Sequence, residues 1–100
     1  MSWFRGLFSQ AEVPAPDATR TLVLYKYDAC PFCARVQRDV QSLGLDIEMR
    51  DTRLNPDARR ELQAETGRTQ VPCLFIDGQP LFESADISAW LKRYSKRAEA

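Results

Sequence analysis

The sequence predicts an α/β domain whose elements run in the order βαβαββα. Three observations carry this reading. From Thr21 onward, apolar β-rich runs alternate with runs of helical period. A Cys-x-x-Cys pair stands where the first such strand gives way to a helix, and Asp77-Gly78 joins two short apolar runs in the manner of a hairpin turn. The alternating part implies a parallel βαβ unit and the hairpin adds an antiparallel pair. The result is a four-stranded mixed sheet flanked by helices on both faces.

Each element has its own signal. Residues 21–27 are mostly apolar and β-rich, hence a buried strand. Pro31 suits the first turn of a helix, and Phe32, Val36, Val40 and Leu43 repeat at helical spacing until Gly44. Residues 46–51 alternate, which predicts a second strand with Ile47 and Met49 on one face. Asn55 is a good N-cap and Pro56 a good first helical residue, with Ala58, Leu62 and Ala64 following until Gly67. Residues 71–76 form a third strand and 79–82 a short fourth. Ser84 then caps a last helix that carries Ile87, Trp90, Leu91 and Tyr94.

One hundred residues make one small domain with enough length for its own core. Lys plus Arg and Asp plus Glu both number 14, so no global field draws the chain to nucleic acid. Three cysteines are an odd number without the spacing of a secreted disulfide framework, which points to a reducing, cytoplasmic setting. Residues 1–19 read as an aromatic segment followed by a Pro/Ala linker, and residues 20–97 as the domain. Trp3, Phe4, Leu7 and Phe8 recur at helical spacing but are too few to span a bilayer. Two readings stay open for them: a tail loosely packed on the domain, or a weak interfacial contact with a membrane.

The chemistry rests on Cys30-Pro31-Phe32-Cys33. A sulfur at a helix N-terminus meets unpaired backbone N–H groups and the positive end of the helix dipole, both of which favour a thiolate. The thiolate is the reactive form, and a free thiol of pKa about 8.5 is only ~3% ionised at pH 7. Cys33, one turn on, stands near enough to pair with Cys30. Three readings fit such a pair: redox chemistry, half of a structural zinc site, or inert packing. Zinc normally takes four ligands, and this chain has no histidine and only Cys73 as a further cysteine, so redox chemistry is favoured. Pro72 opens a strand where a trans proline would interrupt pairing, so a cis Val71–Pro72 bond is expected, with the Val71 backbone facing outward; a trans proline on an edge strand is the alternative.

With these residues together, residues 21–96 resemble glutaredoxins, the glutathione-dependent members of the thioredoxin fold. The resemblance rests on Cys30-Pro31-Phe32-Cys33, on Thr69-Gln70-Val71-Pro72, and on Glu83-Ser84-Ala85-Asp86-Ile87. The family's dithiol is most often Cys-Pro-Tyr-Cys, and Phe32 keeps the ring without the hydroxyl. Gln70 stands where the family has threonine, and Tyr27 where it has lysine, with Lys26 one residue earlier. The usual Gly-Gly-x-Asp-Asp segment is replaced by Phe82-Glu83-Ser84, which resembles the Glu-Ser pair of glutathione transferase N-terminal domains.

The resemblance implies a thioredoxin-like fold and a glutathione-disulfide oxidoreductase with Cys30 and Cys33 as catalytic residues and redox disulfide. It implies glutathione as co-substrate, bound by Phe32, Gln70, Val71, Pro72, Glu83, Ser84 and Ala85. The Val71 backbone would pair with the cysteinyl part, and the N–H groups of Ser84 and Ala85 would receive the γ-glutamyl carboxylate. Glu83 or Asp86 would meet the amine. Arg68, or one of Arg50, Arg53 and Arg59, would receive the glycyl carboxylate. Cys73 reads as a small buried residue, with a third redox thiol as the alternative. The implied partners are glutathione and glutathionylated or disulfide-containing proteins, with a monomeric chain and no metal. The alternative function is a glutathione-binding or iron–sulfur-carrying module, which Pro31 disfavours by the same resemblance.

Overall fold

The computed structural model describes residues 13–99. The helical reading of Trp3 to Phe8 lies outside them. The elements are β1 (Leu22–Lys26), α1 (Pro31–Ser42), β2 (Glu48–Asp51), α2 (Pro56–Thr66), β3 (Cys73–Ile76), β4 (Gln79–Phe82) and α3 (Ser84–Glu99). They form one four-stranded sheet in the order β2-β1-β3-β4. β1 runs parallel to β2 and antiparallel to β3, and β3 pairs antiparallel with β4. This is the expected βαβαββα order and mixed sheet.

Alternation along β1 and β3 feeds two apolar layers. Leu24, Leu74 and Ile76 pack with Val36 and Val40 of α1 and with Ile87, Trp90, Leu91 and Tyr94 of α3. Tyr25, Cys73 and Phe75 face the other way and pack with Ala58 and Leu62 of α2. Each fully buried leucine or isoleucine contributes about 1.5–3 kcal/mol by leaving water, so the central strands are the firmest part of the scaffold. α2 starts where expected: the Asn55 side chain accepts from the Asp57 N–H at 2.9 Å, and Gly67 closes the helix at φ 80°.

Four expectations need correction. β3 begins at Cys73 rather than Val71, because residues 71 and 72 enter from the loop and do not pair. Ala64 is exposed, and α2 buries only Ala58 and Leu62 because the sheet meets a narrow stripe of so short a helix. Ile47 precedes β2 yet joins the core, whereas Met49 stays 37% exposed on an edge strand. Ser84 does not precede α3 as a cap but is its first residue. Glu83 comes before it at φ 74°, and its C=O accepts from the Ile87 N–H at 2.9 Å. Part of the stretch read as linker lies on the domain: Pro16 is buried, Val13 packs on the core, and the Trp90 indole N–H donates to the Pro14 C=O at 2.9 Å.

Candidate active site

The site forms where β1 ends. A turn over residues 27–29 brings the Cys30 N–H onto the Tyr27 C=O at 3.2 Å, and α1 starts at once with Pro31. Cys30 is the N-cap of α1, at φ −81° and ψ 119°. Its sulfur accepts the Cys33 N–H at 3.3 Å, and its C=O accepts the Ala34 N–H at 2.9 Å. A cap is normally a serine, threonine, aspartate or asparagine oxygen serving an otherwise unpaired N–H. Here sulfur takes that place, so negative charge on it meets a donor and the positive end of a helix.

Cys30 is 6% exposed and Cys33 fully buried, while Phe32 between them stays 60% exposed. What separates the two thiols is the place of the Cys30 sulfur as the cap of α1, with a donor N–H at 3.3 Å. Burial pushes the Cys33 thiol up to about 12, helped by the Cys30 sulfur and opposed by the Tyr27 backbone and the Lys26 charge. Burial likewise pushes Cys73 to about 12, against the Leu81 backbone and the Arg68 charge. All three cysteines are unpaired.

Beside the dithiol lies a groove of about 280 Å³ lined by Phe32, Gln70, Val71, Pro72, Glu83 and Ser84. The fold thus gathers residues from the start of α1, the loop before β3 and the start of α3. The Val71–Pro72 bond is cis. Six of the residues assigned to glutathione above line the groove; Ala85 and Asp86, both exposed in the first turn of α3, and the candidate arginines do not. A separate cavity of about 230 Å³, lined by Thr21, Val23, Tyr25, Glu65, Phe75 and Gly78, contains neither Cys30 nor Cys33.

The cations divide clearly. Arg50 is bound through two nitrogens to Glu61, at 3.1 and 2.6 Å, and that carboxylate also accepts from the Tyr25 hydroxyl. It is occupied away from the groove. Arg68 stacks over the Phe82 ring at 4.6 Å and donates to the Gln70 side chain at 3.2 Å, which places it against the groove's lining. Arg59 is exposed on α2. Lys26 binds Asp28 at 2.9 Å and Asp51 at 3.4 Å. A further cleft, of about 160 Å³ and without any signal in the sequence, is lined by Tyr27, Asp28, Ala29, Asp51, Arg53 and Leu54. In it the Arg53 guanidinium lies 4.0 Å over the Tyr27 ring, and Leu54 is 81% exposed. Only the tertiary fold brings residue 27 to residue 53, so no spacing in the chain could have revealed the stack.

The sequence profile of the glutaredoxin family matches residues 22–82, the span from β1 through β4 that holds the dithiol and the Val71–Pro72 turn. The chain belongs to the glutaredoxin family. Glutaredoxin 3 of Escherichia coli is 32% identical over 66 residues, which are 66% of this chain and 80% of that protein. A chloroplastic glutaredoxin of Oryza sativa is 33% identical over 79 residues, covering 75% of this chain and 59% of that one. A glutathione transferase homologue from Drosophila mojavensis, solved with bound glutathione, superposes with a TM-score of 0.66 at 23% identity. That match covers 78% of this chain but only 37% of the transferase, so this glutaredoxin spans little more than a third of it. A thioredoxin-like protein matches at a TM-score of 0.61 and 22% identity, over 70% of this chain and 97% of that one. The fold is thioredoxin-like, and the chain is a thioredoxin-fold redox protein related to glutathione-using ones.

Proposed function

We propose that this glutaredoxin is a glutathione-dependent thiol–disulfide oxidoreductase in which Cys30 is the attacking sulfur. The observation that carries the reading is the Cys30 sulfur capping α1 beside the groove of Phe32, Gln70, Val71, Pro72, Glu83 and Ser84. The Cys30 thiolate attacks the glutathione sulfur of a glutathionylated protein. A disulfide forms between Cys30 and glutathione, the old one breaks, and the protein thiolate leaves and takes a proton from water. A second glutathione then clears Cys30 and departs as glutathione disulfide. Alternatively, Cys33 displaces glutathione and closes a disulfide with Cys30, which the glutathione pool reduces.

The groove suits a small peptide with two carboxylates. The first-turn N–H groups of α3, at Ser84 and Ala85, receive the γ-glutamyl carboxylate, and Glu83 meets its amine. Arg68, held on Phe82 and bonded to Gln70, receives the glycyl carboxylate. Arg50 is removed from that role by its pairing with Glu61. A glutathione-coupled disulfide reduction assay tests the reading. Wild type should turn over, Cys30→Ser should be inactive, and Cys33→Ser should keep removing glutathione from protein by the monothiol route. Activity surviving Cys30→Ser would overturn it.

A further inference from the structure

Positive and negative charges are equal in number in this chain but unequally placed. Arg20, Lys26, Arg50 and Arg60 each pair with a carboxylate, and Arg53 and Arg68 lie over aromatic rings. Arg59 shares α2 with the acids Asp57, Glu61 and Glu65. The cations of the other two helices stand differently. Arg35 and Arg38 on α1, and Lys92, Arg93 and Lys96 on α3, are all exposed, and none of them makes an ion pair among the described residues. Through Lys96, the acids on these two helices are Asp39 and Asp86. Asp39 is half-buried, four residues after Arg35 and not paired to it, and Asp86 lies in the first turn of α3.

The fold joins these five cations into one surface that starts at the reactive sulfur. Val36 and Val40 of α1 share a core layer with Ile87, Leu91 and Tyr94 of α3, and the cations lie on the sides of both helices away from it. Both helices begin at the site, α1 with Cys30 as its cap and α3 with Ser84 in the groove. At 1.5 Å per residue, Arg35 stands about 8 Å along α1 from Cys30, and Lys96 about 18 Å along α3 from Ser84. Phe32, a wall of the groove, precedes Arg35 by three residues, the spacing of neighbours on a helix surface. The groove therefore continues into the cationic layer.

A solvated face that keeps the chain in solution is the bland account. It leaves the spacing unexplained: Arg35 with Arg38, Lys92 with Lys96, and Arg93 with Lys96 are like charges three or four residues apart, which repel and weaken a helix. No ion pair among the described residues offsets that repulsion. An anionic membrane is a second account, but of the large exposed apolar side chains described only Phe32 lies on this layer, too little to enter lipid. A polypeptide whose disulfide reaches Cys30 must, by contrast, lie against the start of α1. We propose that the outer faces of α1 and α3 dock the protein substrate and select polypeptides whose glutathionylated cysteine is flanked by acidic residues. The proposal rests on the oxidoreductase reading above and names the substrate class of that site. Its acids draw the partner onto α1 before sulfur exchange and leave the exchange itself unchanged.

The test uses peptides with one glutathionylated cysteine followed by six residues, all glutamate, all glutamine or all lysine. Six extended residues span about 20 Å, the reach of the cationic layer. At low salt, kcat/KM for removal of glutathione should be about tenfold higher with glutamate than with glutamine, and lowest with lysine. Salt at about 0.5 M should erase the ranking. Arg35→Gln combined with Arg38→Gln should lower the rate on the glutamate peptide about threefold, as expected for two exposed charge contacts. Replacing all five cations by glutamine should abolish the preference. The mixed disulfide of free cysteine and glutathione, which has no flanking residues, should turn over equally in every variant. Equal rates on the three peptides would overturn the proposal, as would a preference that survives the loss of all five cations. If equal rates came with binding of wild type, but not of the fivefold variant, to phosphatidylglycerol vesicles, the layer would belong to a membrane instead. A wild type unable to turn over even the cysteine–glutathione disulfide would overturn the oxidoreductase reading itself.

Discussion

Cys30 combines two roles at one position, since the sulfur that caps α1 is also the sulfur proposed to react. The two roles separate by substitution. Cys30→Ser keeps an acceptor for the Cys33 N–H, so its stability to denaturant should stay within about 0.5 kcal/mol of wild type. Cys30→Ala loses the cap and should cost about 1 kcal/mol, with both variants inactive. A serine variant as destabilised as the alanine one would show that the sulfur is not acting as a cap. Phe32 presents the complementary case. At 60% exposed it contributes little to folding, but it forms one wall of the groove. Phe32→Ala should leave the melting curve in place and raise KM for a glutathionylated substrate roughly fivefold, about 1 kcal/mol of lost contact. A loss confined to kcat would remove Phe32 from the binding surface.

The turn after β2 illustrates how an element is set and how far it can be read from sequence. Asp51 accepts the Leu54 and Arg53 N–H groups and pairs with Lys26, and these interactions hold its carboxyl below the usual range, the Leu54 bond most strongly. Asp51→Ala should therefore cost about 1–2 kcal/mol at pH 7. The folded pKa is the lower one, so the carboxylate's contribution is present above about pH 4 and lost as pH falls through the folded value. Denaturation curves of wild type and Asp51→Ala should converge in acid; a constant gap would mean that the charge is not what holds the turn. Most elements were legible because they follow local rules, such as Asn55-Pro56 opening α2, Gly67 closing it, and Asp77-Gly78 turning β3 into β4. The failures occurred where tertiary contacts decide. Ala64 keeps helical spacing yet meets no sheet, Glu83 takes the left-handed backbone that a cap at Ser84 would not need, and Pro14 is fixed by Trp90 from the far end of the chain. The groove was legible through its resemblance to known sites, whereas the Arg53–Tyr27 stack and the pairing of Arg50 with Glu61 depend on strand order and had no local signal.

Across the whole molecule all three thiols are buried, and what sets Cys30 apart is its place as the cap of α1. Cys33 and Cys73 are both held as thiols, pushed up to about 12, while the unfolded chain ionises them near 8.5. Between those values the folded state holds more protons, so stability must fall as pH rises, by up to about 1.4 kcal/mol per unit for each thiol. Under reducing conditions Cys73→Ala should lessen the slope between pH 9 and 12 by that amount, and an unchanged slope would place Cys73 in a wetter site than its full burial suggests. The geometry governs the chemistry, because of the three cysteines only Cys30 caps a helix beside the groove. The most direct test is to expose Cys33→Ser protein to glutathione disulfide and locate the adduct by peptide mass mapping. One glutathione should be found, on Cys30, and added glutathione should remove it. An adduct on Cys73, or none at all, would contradict the assignment of Cys30 as the reactive sulfur.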